Sequence, residues 1–158
     1  MIQIAKIKTS AQQQIVPFQP NHLNLIDFRE DELNHIKHIP NYLNYIVDNA
    51  IVDYSWTAIA QGKVICIFGI RYMWSGVAEA WLLTGHGIER NSISLVKGAR
   101  VLLDETIEEM QIRRLQIAVK STNKTAYNFA KFLYFNVEGV MKKFGPDGED
   151  YYLMTRIQ

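Results

Sequence analysis

Three strand-like runs joined by tight turns constrain this chain more than any other feature. Ser55 to Ala60 alternates, with Trp56, Ala58 and Ala60 on one side and Thr57 and Ile59 on the other. Lys63 to Tyr72 is a second, more apolar run, and Val77 to Thr84 is a third. Gln61-Gly62 and Trp74-Ser75-Gly76 stand between them as turn formers. Turns this short join antiparallel neighbours, so the centre of the chain is committed to a three-stranded meander.

The pattern changes after Gly85-His86-Gly87. Leu95, Val96, Ala99, Leu102, Leu103, Ile107 and Met110 recur at helical spacing, which predicts a long helix capped by Ser92 or Ser94. Leu115 to Val119 reads as a strand, and Asn123 to Leu133 as a helix with Ala126, Phe129, Ala130 and Leu133 inward. Val137 to Phe144 and Tyr151 to Ile157 are two final strands around the turn Gly145-Pro146-Asp147-Gly148. Before the meander, Gln14 to Phe18 is a short strand, and Asn21 to Ile26 is a short helix or extended chain. Asp31 to Ile39 is an amphipathic helix ended by Pro40, and Asn41 caps the next, with Leu43, Ile46 and Val47 on one face.

The resulting order is β-α-α-β-β-β-α-β-α-β-β. It predicts one α/β (α+β) domain, a mixed central sheet with helices on both faces. The length of 158 residues suits one domain. Residues 1–13 are polar and weakly patterned, and are expected to form a mobile N-terminal arm or a poorly fixed first strand.

Charge and cysteine content narrow the function classes. Lys plus Arg is 17 and Asp plus Glu is 16, which offers no broad field for nucleic acid or a membrane surface. The longest apolar stretches are strand-sized, too short to span a bilayer. The N-terminus lacks a secretory pattern, so a cytoplasmic protein is expected. Cys66, the one cysteine, lies in the apolar run Val64 to Phe68 and reads as core. His35 and His38, with Glu32 one turn before, have a spacing that can present metal ligands, but a solvated helix face is the better reading, and no metal is expected. Asp147, Glu149 and Asp150 lack the ligand alternation of a calcium loop and read as a hairpin turn.

Several motifs occur in a telling order. They are Ala78-Glu79-Ala80-Trp81, Arg114-Leu115-Gln116-Ile117-Ala118-Val119, Asn123-Lys124-Thr125-Ala126 and Phe135-x-x-Glu138-Gly139. Together with the element order they resemble the GNAT N-acetyltransferase superfamily over roughly residues 14–157. A narrower resemblance rests on Val16-Pro17-Phe18-Gln19-Pro20-Asn21-His22-Leu23, Glu79-Ala80-Trp81 and Asp147-Gly148-Glu149-Asp150-Tyr151. These look like small GNAT-like proteins of tailed phages, a group that includes acetyltransferases and internal virion proteins.

The resemblance implies acyl transfer from acetyl-CoA, or another acyl-CoA, to a small amine or a protein amino group. Such chemistry needs a base, an oxyanion donor and a cradle of backbone N–H groups for the pyrophosphate. The family pairs the pantetheine arm with the open edge of its fourth strand, here Trp81, Leu82, Leu83 and Thr84. Glu79 is the candidate base, since a carboxylate in an apolar strand is desolvated if it faces inward. The competing reading is that it pairs with Arg71 on the adjacent strand.

Two departures stand out. The family's loop reads Arg or Gln, two residues, Gly, one residue, then Gly or Ala. An ungapped count places it on Asn91 to Val96, so that Ser94 replaces the first glycine and Val96 crowds the helix start. Ser92 and Ser94 are then cofactor candidates, with Arg90 supplying charge. The alternative frame at Gly85-His86-Gly87 offers glycines, but is expected to lie too far from the helix to use its dipole. The second departure is the thiolate's proton donor. The family's tyrosine position falls on Ala130, leaving Tyr127 for the cofactor arm and Tyr134 as a displaced acid. Asn123 matches the family and is a candidate ligand of the pantetheine arm; it also reads as a plain helix N-cap, and the two roles are compatible. The alternative to an enzyme is a non-catalytic interaction or virion protein on the same fold, acting as a homodimer or in a phage particle.

Overall fold

The computed structural model describes residues 13–158. The expected arm over 1–13 therefore lies, apart from Gln13, outside the described residues. The strands are β1 (Gln13–Pro17), β2 (Ser55–Ala60), β3 (Lys63–Trp74), β4 (Val77–Thr84), β5 (Arg114–Lys120), β6 (Asn136–Met141) and β7 (Tyr151–Ile157). The α-helices are α1 (Glu30–His38), α2 (Tyr42–Asn49), α3 (Ile88–Glu109) and α4 (Lys124–Phe132). Their order is the one the sequence predicts.

The strands form one seven-stranded sheet in the order β1-β2-β3-β4-β5-β7-β6. Among the described strands only the β4–β5 pair is parallel, and α3 is its crossover. The β2–β3 hairpin turns through Gln61 (φ 50°) and Gly62 (φ 74°), the paired positive values of a two-residue turn that matches strand twist. Ile39 closes α1 in extended conformation, as a residue preceding Pro40 must favour. Asn41 does precede α2, but it does so in the left-handed region and its side chain caps nothing. The ambiguous segment after Pro20 is a short 3-10 turn, Pro20–Asn24, followed by extended chain in which Ile26 bridges Val64 and Phe28 bridges Gly85.

The sheet divides the core in two. Trp56, Phe68, Ile70, Leu102, Leu115, Phe135 and Met154 pack on the side of α3 and α4, and Phe18, Ile26, Ile46, Ile67, Trp81 and Leu83 on the side of α1 and α2. Strand alternation sorts Phe68 from Ile67 in this way. Each such side chain, fully buried, contributes about 1.5–3 kcal/mol. Cys66 is fully buried in the first cluster, and its burial pushes the thiol up. Among the described residues no helix is long and apolar enough to cross a membrane.

Candidate functional site

The site begins where the parallel ladder stops. β4 and β5 pair only from Val77↔Arg114 to Glu79↔Gln116. Beyond that rung β4 continues to Thr84 and β5 to Lys120, and a wedge opens between them. A cavity of about 620 Å³ fills the wedge. Ala80, Trp81, Leu82 and Thr84 line it from β4, Ile117 to Lys120 from β5, Asp31, Glu32 and His35 from α1, and Tyr42 and Tyr45 from α2. Asn123, Ala126 and Ala130 reach it from the α4 end, and Phe144, Pro146 and Tyr151 from the last hairpin. The α1 and α2 flank thus carries acidic and aromatic side chains, while the α4 flank presents Asn123 and apolar residues.

Glu79 stands at the last rung of the ladder. It is directly opposite Arg71 on β3, and its Oε1 accepts from Arg71 Nη2 at 2.7 Å and Nε at 3.1 Å. Arg71 Nη1 also donates to the Tyr45 hydroxyl. Glu79 thus lines the cavity wall and is paired with Arg71, the competing sequence reading.

Glu32 is the carboxylate that sequence reasoning passed over. Its Oε1 accepts from the Thr84 backbone N–H at 2.9 Å and from the Thr84 hydroxyl at 3.0 Å. Burial, opposed by those two bonds, pushes its carboxyl up to about 7. The sequence signal was its place beside His35 and His38, but those do not act together. His35 packs edge-to-face on Tyr42 at 5.0 Å, and burial lowers its pKa. His38 Nδ1 meets the Asn34 carbonyl oxygen of its own helix. Tyr42 and Tyr151 were also missed. Burial raises both phenols, which keeps them protonated.

The helix that follows β4 starts earlier than expected. α3 begins at Ile88 with Gly87 as its N-cap at φ 99°, so Ser92 and Ser94 are not caps. They lie inside the helix, with Ser92 Oγ 3.4 Å from the Glu89 carbonyl oxygen and Ser94 half-buried. The ungapped count is corrected accordingly. Val96 is a core residue and does not crowd the helix start. The Gly85-His86-Gly87 loop, expected to lie too far away, abuts the helix N-terminus directly. Its compactness needs glycine: a Cβ on Gly85 would sit 2.8 Å from Ile26. Arg90 is exposed in the first turn, beside Glu89, whose carboxylate pairs with Arg29.

The remaining candidates separate. Asn123 caps α4, its Oδ1 accepting from Ala126 N–H at 3.0 Å, and its Nδ2 reaches Asp31 Oδ2 at 3.5 Å. Leu82 lines the wedge, whereas the Leu83 side chain is buried on the α1/α2 side. The Tyr127 ring packs at a tilt against Tyr152 at 5.7 Å and does not line the cavity. Tyr134 is exposed in the α4–β6 connection at φ 69°, under the guanidinium groups of Arg100 and Arg156 and away from the cavity. Trp74 is exposed at the meander turn, as expected for a turn residue.

No family model matches the chain, and no curated protein matches it. Solved structures match over nearly the whole length. The GNAT-family acetyltransferase from Bacillus anthracis is 16% identical, with 94% of this chain and 96% of that one covered and a TM-score of 0.69. RimL, the ribosomal L7/L12 alpha-N-protein acetyltransferase in complex with coenzyme A, is 15% identical, with 96% and 97% covered and a TM-score of 0.69. Ard1 from Thermoplasma volcanium is 15% identical, with 93% and 98% covered and a TM-score of 0.75. The splayed β4–β5 pair, the strand order and these matches together identify the fold of the chain as that of the GNAT acetyltransferases.

Proposed function

We propose that this chain is an acyl-CoA-dependent N-acyltransferase, with acetyl-CoA as donor and a small amine or a protein amino group as acceptor. The observation that carries this reading is the wedge that opens immediately after Glu79 and runs along the free edge of β4. It lies in a fold shared with RimL, which was solved in complex with coenzyme A. The wedge fits an extended thioester arm, which would lie along Trp81 to Thr84 and meet Asn123 from α4. The first backbone N–H groups of α3, next to Gly85 and Gly87 and with Arg90 outside, would receive the pyrophosphate.

In this reading the amine enters past Asp31 and Tyr45, where the acidic Asp31 favours an ammonium. Glu79 accepts its proton, and Arg71 holds the carboxylate in place. The free amine attacks the thioester carbon, the C–S bond breaks, and the amide forms. The thiolate then takes the proton lost by nitrogen. Ala130 supplies no donor, so the phenols of Tyr42, Tyr45 and Tyr151, which line the cavity, are the tyrosines in reach.

The test is calorimetric titration with acetyl-CoA, followed by assay of free thiol release with candidate amines. Saturable binding and thiol release support the enzyme. Ala130 and the Glu89 carboxylate at the head of α3 favour a second reading, a non-catalytic virion or interaction protein on this fold. Absence of binding at high micromolar acetyl-CoA, together with co-purification with phage particles, would establish that reading instead.

A further inference from the structure

Thr84 is the last residue of the β4 edge, and its backbone is already engaged. Gly85 N–H bonds to Ile65 O of β3 at 2.9 Å, so by strand alternation the Thr84 groups point the other way, toward the wedge. There the Thr84 N–H donates to Glu32, and the Thr84 carbonyl accepts from Arg29 N–H at 3.3 Å. His86 N–H donates to the Asp27 carbonyl at 2.9 Å, and Phe28 bridges Gly85. Residues 27–29 thus lie along the end of β4 like a short extra strand, and the first turn of α1 carries Asp31 and Glu32 on from it. The same segment reaches the two other elements that border the opening. Asp31 meets Asn123 at the head of α4, and Arg29 meets Glu89 at the head of α3.

We propose that residues 27–32 form a self-occluding gate over the end of β4, which an acyl-CoA arm must displace to enter the wedge. This rests on the acyl-CoA reading above. The gate occupies the N–H of Thr84 and the amide of Asn123, two groups that reading gives to the thioester arm. Glu32 is its latch. Arg29 and Asp31 face it from its own turn, Thr84 from β4, Tyr42 from α2, Tyr151 from β7 and Cys66 from β3. Desolvation outweighs all of these, so the docked latch holds a proton that a carboxylate in water would release. Displacing the gate below pH 7 therefore releases a proton, and the gate loosens as pH rises toward 7. The effect on apparent affinity is at most about tenfold per pH unit.

The test is titration of the full chain with acetyl-CoA at pH 6 and pH 8, in wild type, Glu32→Ala and Glu32→Gln. Glu32→Ala lacks the latch and is expected to bind several-fold more tightly than wild type at pH 6, with the difference shrinking at pH 8. Glu32→Gln keeps a neutral acceptor for Thr84 and is expected to stay weak at both values. Titration of the coenzyme's own phosphate cancels in the comparison among variants. If all three bind alike at both pH values, the gate is overturned and the acyl-CoA reading stands. If Glu32→Ala does not fold, wild type and Glu32→Gln decide: equal pH dependence overturns the gate, and a steeper gain for wild type supports it. If no folded variant binds acetyl-CoA, the acyl-CoA reading fails and the gate falls with it.

Discussion

Arg71 and Glu79 face each other across the β3–β4 ladder, and their 2.7 Å ion pair sits on the rung where β4 parts from β5. The pairing fixes a carboxylate at the apex of the wedge. The side chains keep 29% and 27% exposure, so the pair is screened and contributes modestly to stability. Its consequence is positional.

Glu79→Gln is expected to lower kcat by roughly 10²–10⁴ if Glu79 is the base, with acetyl-CoA affinity unchanged. Thiol release measures the first and calorimetry the second. Full turnover in this variant would move the proton acceptor elsewhere on the wall.

Glu32 predicts a pH effect on stability. Its folded pKa, about 7, is raised above the ordinary 4.5, so its contribution is fully present below pH 4.5. It is lost as pH rises to 7, because the folded state binds the proton more tightly than the unfolded one. The loss is at most about 1.4 kcal/mol per pH unit, a few kcal/mol across the window. Urea denaturation of wild type and Glu32→Gln from pH 4.5 to 8 checks this. The wild-type-minus-variant difference should fall up to pH 7 and then level off.

Gly87 caps α3 at φ 99°, where a side chain is strained. Gly87→Ala should cost about 1–2 kcal/mol, read as a lower urea midpoint. Under the proposed function it should also weaken acetyl-CoA binding, since the loop and the first turn of α3 move together.

Leu102 is fully buried where α3 crosses the sheet. Leu102→Ala should destabilise by about 2–5 kcal/mol with little change in the wedge, because it does not line the cavity. A folded variant that loses acetyl-CoA binding would show that the core beneath α3 sets the wedge.

The legible parts of this protein are those with local causes. The meander could be read because Gln61-Gly62 and Trp74-Ser75-Gly76 form their turns from their own residues. Asn123 could be read as a cap because its partner is three residues away. The start of α3 could not. Ile88-Glu89-Arg90 carries no apolar period and no side-chain cap, and the helix starts there because Gly87 takes a left-handed turn against Ile65. Tyr134 was a candidate by its distance from Ala130 along the chain, but a positive φ turns that segment outward to Arg100 and Arg156.

The sequence by itself determined the order of strands and helices and the sorting of apolar side chains, because alternation and turn chemistry act over a few residues. Only the tertiary structure decided which carboxylates meet in the wedge. Glu32 reaches Thr84 across 52 residues, and neither side chain's neighbourhood in the chain announces the other. The rise of the Glu32 pKa comes from burial, and burial exists only once α1 has closed over the end of β4.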